Sequence, residues 1–341
     1  MMQTDEAAVF LQRGPAAAPA GGSRAEEPVF ISKSETIREL RSRISLVARS
    51  EASVLITGES GTGKEVIARL IHYSGPRVEN AFIAVNCAAM PRDVVDNELF
   101  GHEREAFTGA TSKRSGCFEM ADRGTLFLDE VAEMHPQSQA KLLRAIESKS
   151  FRRLGGKDEV HVDVRITAAT NRDVTSSIKG GDLREDLYYR LSVIELHIPP
   201  LRERREDIPL LADYYFDSFS RKYGTRRKAF SGASTEILMA YDWPGNVREF
   251  KNMMERTVLV CPDGEVEPRY LPDRVLAVSS RRTSMVEVPV GTTLEEAGRI
   301  IILQTLASAG GNKSRAARIL GISRKALYDK LRSYGDPAEE G

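Results

Sequence analysis

Residues 58–65 read GESGTGKE. The spacing G-x-x-x-x-G-K turns successive backbone N–H groups toward one point, with a lysine ammonium behind them. Phosphate is the ligand that needs such a loop. Gly58, Glu59, Ser60, Gly61, Thr62, Gly63, Lys64 and Glu65 are therefore candidate nucleotide-binding residues. Glu65 stands where a Ser or Thr hydroxyl usually meets magnesium, so the loop departs from the common pattern at its last position. About 65 residues further on, TLFLDE (125–130) leads an apolar run into two acids. Asp129 suits Mg2+ or its water shell, and Glu130 suits polarising an attacking water. The two motifs together predict binding and hydrolysis of a nucleoside triphosphate.

A second concentration of chemistry lies in residues 312–334, NKSRAARILGISRKALYDKLRSY, with seven basic side chains against one acid. Ala316, Ile319 and Leu320 are expected to line one helix face, Gly321 and Ile322 to turn the chain, and Ser323 to cap a second helix. That second helix would turn Ala326, Leu327 and Leu331 inward. Two short helices about a tight glycine turn predict a helix-turn-helix. Arg324, Lys325, Tyr328 and Arg332 are the exposed candidates on its recognition helix, and Lys313 and Arg315 add charge from the helix before; which read bases and which hold phosphates stays open.

The elements that must position these residues alternate. VLITG (54–58), FIAVNC (82–87), TLFLDE (125–130) and VRITAATN (164–171) read as strands, and 64–74 and 136–146 as helices between them. Strand and helix in alternation predict an α/β fold on a mostly parallel sheet. After 196–209 only helical patterns continue, at 209–223, 234–241 and 246–259, which predicts a small helical subdomain. The chain has 341 residues, with 49 basic and 49 acidic. A uniformly basic nucleic-acid coat is excluded, but a local basic patch is not. Three cysteines are too scattered for a disulfide framework, and five histidines lack metal-ligand spacing. No apolar run reaches membrane-span length and no signal-peptide layout opens the chain, which predicts a cytoplasmic protein without membrane contact.

ELFGHEREAFTGA (98–110) is the most specific stretch. Over residues 28–335 the sequence resembles the bacterial enhancer-binding proteins, AAA+ ATPases that activate transcription by sigma-54 RNA polymerase. The family's signature loop, Gly-Ala-Phe-Thr-Gly-Ala, matches Glu105, Ala106, Phe107, Thr108, Gly109 and Ala110, with Glu105 replacing the first glycine. The resemblance implies that this loop contacts sigma-54, chiefly through Phe107 and Thr108, and that RRLGG (152–156) is a second loop working with it. It implies ATP as the nucleotide. Asn86 would hold the catalytic Glu130, Asn171 would sense the γ-phosphate, and Arg184 and Arg190 would enter the neighbouring subunit's site. Arg248, in WPGNVREFKN (243–252), would serve as the sensor on the lid, with Phe250 where Leu is more usual.

The implied organisation is a flexible tail over 1–27, an α/β ATPase subdomain over 28–201, a helical lid over 202–272 and a linker over 273–290. A Fis-type DNA-binding domain follows over 291–335, then a tail over 336–341. Residues 292–309, with Ile300, Ile301, Leu303 and Leu306, would pair two copies. The implied partners are sigma-54 RNA polymerase holoenzyme, upstream activator DNA, and further subunits in a hexameric ring, either of this chain or of a related activator. The short stretch before the ATPase predicts control by a regulatory protein in trans or through abundance. Two other readings accommodate the same residues: a non-remodelling DNA-binding regulator or partner subunit, and a different DNA-associated AAA+ ATPase. The signature loop favours the activator.

Overall fold

In the computed structural model the described residues are 9–10, 29–88, 90–107, 110, 112–226, 228–262, 264–282 and 288–334. The expected tails at 1–27 and 336–341 lie outside them, except that Val9–Phe10 pairs antiparallel with Phe30–Ile31. The four apolar runs form strands: β1 (Val54–Thr57), β2 (Phe82–Asn86), β3 (Thr125–Asp129) and β4 (Arg165–Thr170). A fifth, β5 (Ile194–His197), lies in a segment read as the approach to the helical region. It is four residues long, alternates apolar with charged or polar side chains, and stops before two prolines, so its apolar signal is brief. All pair in parallel in the order β5-β1-β4-β3-β2.

Both faces of this sheet are covered, and the pleat sorts its side chains by parity. Val54, Ile56, Phe127 and Ala169 enter one apolar cluster with helices Glu35–Ala48 and Lys64–Tyr73. Leu55, Leu126, Leu128 and Ala168 enter the other, with helices Arg92–Phe100, Pro136–Ser148 and Glu185–Leu191. Because the strands are parallel and in register, Asn86 lies opposite Asp129, and Thr57 opposite both Thr170 and His197. Their carboxyl ends therefore form one polar edge, where α/β sheets bind ligands.

The chain forms two compact units, one of residues up to Phe230 with Asp242–Val266, the other of Ser231–Tyr241 with Glu267 onward. In the first, helices Asp207–Tyr223 and Asn246–Val260 pack around Trp243, whose ring meets Phe250 edge-on at 4.8 Å. Phe250 is buried there as the apolar substitute it was expected to be. In the second unit, the segment read as a linker from 273 is helical over Asp273–Arg282 and packs on helix Gly232–Ala240. Its apolar residues fall in one run, Val275–Val278, of which Val275 is fully buried. The same unit carries helices Leu294–Ser308, Lys313–Ile319 and Arg324–Ser333, whose cluster includes Ile302, Ala316, Ala317, Leu327 and Leu331. Ile319, expected inside, is 59% exposed. Ala316, Ala317 and Leu320 share an arc of about 100°, and Ile319 falls outside it.

A buried ion pair ties the phosphate-loop surroundings together in the first unit. Arg204 and Asp207 are both fully buried, with guanidinium and carboxylate 3.7 Å apart. The Asp207 carboxylate accepts from Ser32 Oγ at 2.6 Å and from the N–H groups of Lys33 and Ser34 at 2.8 and 3.2 Å. Arg204 donates to the Thr62 carbonyl at 3.1 Å. Breaking such a pair strands a charge in a dry environment. Asp207→Ala is expected to lower unfolding stability by about 3 kcal/mol in urea titration, and a loss below about 1 kcal/mol would contradict this account.

Candidate functional site

β1 ends at Thr57, and the chain turns through Gly58, Gly61 and Gly63 at φ of 149°, 80° and 107°. A Cβ at Gly58 would stand 2.7 Å from the Ile198 carbonyl oxygen, and one at Gly61 only 2.4 Å from that of Gly245. The turn thus requires glycine for conformation and for space. Helix Lys64–Tyr73 then starts without a side-chain cap on its N-terminus. Its first N–H groups are left for an anion, and the helix dipole favours one. Lys64 is 6% exposed. Its ammonium donates to the carbonyls of Gly58 at 2.9 Å and Glu59 at 3.4 Å, and meets Glu130 Oε1 at 3.2 Å.

Asp129 closes β3 at the polar edge. Burial, and then the neighbouring Glu130 charge, hold its carboxyl above the usual aspartate range, against the pull of Lys64. A cation beside it would relieve both. The described residues hold no group of three acids, histidines or cysteines able to bind a metal unaided. One carboxylate with phosphate and water as the remaining ligands is nevertheless what magnesium takes beside a nucleotide, so Asp129 fits it. Glu65, in the helix's first turn, pairs with Arg69 at 2.7 Å.

Glu130 has a left-handed backbone, φ 55° and ψ 49°, unusual for a non-glycine residue and a form of strain concentrated at functional sites. Its Oε2 accepts from the Asn171 backbone N–H at 2.8 Å. The expected Asn86–Glu130 hydrogen bond is not formed: the Asn86 amide oxygen accepts from the Ala88 N–H at 3.0 Å instead. Sheet order explains this. Glu130 follows β3 and leans to β1 and β4 through Lys64 and Asn171, whereas Asn86 is on β2, across β3.

The arginines divide. Arg248 reaches the loop, its N–H donating to the Gly61 carbonyl at 3.3 Å and its Nη1 to Ser60 Oγ at 3.0 Å. Arg184 caps its helix from outside and is forked onto Asp186 at 3.0 and 2.7 Å. Arg190 is exposed and lines a cavity of about 310 Å³ with Glu51, Ser53, Arg77, Lys149 and Asp163. Glu51 and Ser53 precede β1, so this cavity lies at the amino end of the strand, opposite the phosphate loop of the same chain. Sequence reasoning missed Arg202, Arg204, Phe30 and the Asn246 amide, all of which touch the loop. Arg202 forks onto Glu59 at 2.9 and 2.6 Å, and Asn246 Nδ2 donates to Glu59 Oε2 and to the Ser60 carbonyl, both at 3.1 Å. The charge run RERRED at 202–207 was the available signal; its partners in the loop, Glu59 and Thr62, lie over 140 positions away.

The signature loop leaves helix Arg92–Phe100 through the short strand Gly101–His102, paired with Arg114–Ser115. Glu105 is left-handed at φ 65°, and its N–H donates to the Ala110 carbonyl at 2.8 Å. Phe107 is 47% exposed, its ring edge-on to His102 at 5.0 Å. Thr108 and Gly109 lie outside the described residues. The neighbouring hairpin, Ser150–Arg152 with Glu159–His161, locks the loop's base. Arg153 donates to Glu103 at 2.8 Å and to Glu119 at 2.8 and 2.6 Å, and a Cβ at Gly155 would meet that of Ala106 at 2.8 Å.

In the second unit, Ser323 Oγ accepts from the Ala326 N–H at 3.1 Å and starts the recognition helix as expected. Leu327 and Leu331 bury, and Arg324, Lys325, Tyr328 and Arg332 stay exposed. Arg315 is exposed on the preceding helix, and Lys313 Nζ lies 4.9 Å over the Tyr328 ring. Among the described residues no helix is long and apolar enough to cross a membrane.

Three family models match: a sigma-54 interaction domain over residues 30–197, an AAA+ ATPase lid domain over 202–287, and a bacterial regulatory protein domain of the Fis family over 293–334. The transcriptional regulatory protein ZraR of Escherichia coli (strain K12) is 45% identical over 307 residues, covering 89% of this chain and 68% of that protein. The regulatory protein AtoC of the same strain is 47% identical over 299 residues, 86% of this chain and 65% of that one. A crystal structure of NtrX from Brucella abortus in complex with ADP superposes with a TM-score of 0.69 at 34% identity, covering 90% of this chain and 70% of that one. With its phosphate loop, paired acids, signature loop and terminal helix-turn-helix, the chain belongs to the sigma-54-dependent bacterial enhancer-binding proteins, AAA+ ATPases ending in a Fis-type DNA-binding domain.

Proposed function

We infer that this protein is an ATP-dependent activator of sigma-54 RNA polymerase, bound to upstream DNA and remodelling the closed promoter complex. The single observation that carries the reading is the coexistence, in one compact unit, of a complete phosphate edge and a half-exposed Phe107 on a loop braced by its neighbour. ATP supplies the phosphoryl group and magnesium its charge neutralisation. The N–H groups of the glycine loop and Lys64 hold the phosphates, and Asp129 is the carboxylate that would hold the metal. Glu130 orients the attacking water and takes its proton; Lys64 and the Asn171 N–H each occupy one of its two carboxylate oxygens, and each oxygen has a second lone pair to accept from the water.

Arg190 lines a cavity at the amino end of β1, the end opposite its own phosphate loop, which supports the reading that it acts on a neighbouring copy. Arg184 is the N-cap of the same short helix, six residues before Arg190, and would leave Asp186 to do so. A cation delivered there offsets charge on the transferring phosphoryl group. This requires a ring of subunits, for which a hexamer of this chain is the proposal. The exposed Arg324, Lys325, Tyr328 and Arg332, with Lys313 and Arg315, would engage DNA, and pairing of two copies through helix Leu294–Ser308 would match a palindromic site.

Glu130→Gln keeps the shape and removes the base. Phosphate release should fall by about 10²-fold or more while a fluorescent ATP analogue still binds, and near-native turnover would remove Glu130 from this role. Promoter melting tests the loop. Permanganate reactivity on duplex sigma-54 promoter DNA, with holoenzyme and ATP, should vanish with Phe107→Ala. Glu105→Gly should melt at least as well as the native chain, because it relieves a left-handed backbone cost of about 1 kcal/mol. Melting restored only by Glu105→Gly would favour the partner-subunit reading instead.

A further inference from the structure

The second residue of the phosphate loop is an acid. Glu59 brings a carboxylate into a loop whose N–H groups and lysine are arranged for phosphate, and uncompensated it would repel the ligand that the loop is built to hold. Two side chains answer it. Arg202 meets both carboxylate oxygens in a fork, at 2.9 and 2.6 Å. Asn246, fully buried and left-handed at φ 50°, donates to Glu59 Oε2 and to the Ser60 carbonyl, while its own oxygen accepts from the Leu201 N–H at 2.8 Å. These contacts, the Arg202 fork first, hold the Glu59 carboxyl below the usual glutamate range. Arg202 thus has both nitrogens of its fork committed to Glu59, and its other charged neighbours are Glu203 at 3.9 Å and Asp242.

The same segments touch nearly every position of the loop. Ile198 closes on Gly58, Gly245 on Gly61 and the Phe30 ring on Gly63, while Arg204 takes the Thr62 carbonyl. Glu59 is the position where this enclosure is ionic rather than steric. Sterically fixed positions have one arrangement, whereas an ion pair about two-fifths exposed on each side is free to exchange partners with water.

We propose that Arg202 and Glu59, braced by the buried Asn246, are positioning residues for nucleotide binding: Arg202 neutralises the loop's own carboxylate without itself being a phosphate ligand. The inference rests on the ATPase reading and adds residues to the same site. Its signature is charge reciprocity. Removing Arg202 alone unmasks Glu59 beside the phosphates; removing both charges restores neutrality.

The test measures KM and kcat for Mg-ATP hydrolysis, and the Kd of a fluorescent ATP analogue, on the full chain. Arg202→Gln should raise KM and Kd by about tenfold, with kcat changed by less than about threefold. Adding Glu59→Gln to that variant should return both to within about threefold of native. Unchanged affinity in Arg202→Gln would overturn the proposal. So would a double variant as weak as the single one, which would make Arg202 a direct phosphate ligand. If Arg202→Gln fails to fold, the double variant decides alone: native-like affinity supports the proposal, and weak binding overturns it. A native chain that binds the analogue without hydrolysing it would defeat the ATPase reading, while the order of affinities would still decide this one.

Discussion

Lys64 Nζ is withdrawn from water at the carboxyl edge of the sheet, and an ammonium in that position needs oxygen partners on every side. It finds two loop carbonyls and the Glu130 carboxylate. The carbonyls come within reach only because the glycine turn folds back over the first helical residue. Glu130 comes within reach because β1 and β3, parallel and separated only by β4, end at the same edge of the sheet. The loop's path, the strand order and the left-handed backbone at Glu130 therefore answer to one requirement, a compensated charge at the place where phosphate charge is to be received.

That requirement explains which parts were legible in the sequence. The glycine loop and the TLFLDE strand carry their chemistry locally, in residue types and in the period-2 pattern that buries Leu126 and Leu128 on one face and Phe127 on the other. The terminal helix was legible for the same reason: Ser323 caps it as its residue type and place predict, whereas the matching Asn312 cap on the helix before it went unread. The contacts that surround the loop were not. Arg202 and Asn246 reach Glu59 across more than 140 residues, and no short-range pattern marks an arginine that will meet a particular glutamate. β5 and helix Asp273–Arg282 failed differently: the strand is four residues long and the helix carries its apolar residues as one run, Val275–Val278, so neither repeats a period, and tertiary packing decides them. The Asn86 expectation failed because motif position gives adjacency along strands but not the direction in which Glu130 leans.

The two surface loops show the same division between local and long-range constraint. Gly155 has no room for a side chain because Ala106 occupies it, and Arg153 is fixed by Glu103 from one segment and Glu119 from another. The hairpin thus shapes the base of the signature loop rather than its tip. Glu119 belongs to the short helix Cys117–Met120, which precedes β3, and the loop itself continues from helix Arg92–Phe100, which follows β2. Both supports of the loop therefore trace back to the adjacent strands that end in Asn86 and Asp129.

Glu105 is best understood from this geometry. The hydrogen bond from its N–H to the Ala110 carbonyl closes the loop's neck, and the closed neck requires φ near 65° at that position. Glycine meets the requirement at no steric cost, and glutamate meets it only against the clash of its Cβ. The side chain offers little in return, since its ion pair with Arg104 is long and solvent-exposed. The conformation must therefore be imposed by the neck bond and by the hairpin pressed on Ala106, not chosen by the residue. A loop that keeps its turn with the less suitable residue is one whose shape is set from its base. That leaves Phe107 as the apolar side chain that the tip presents among the described residues, held by contact with His102.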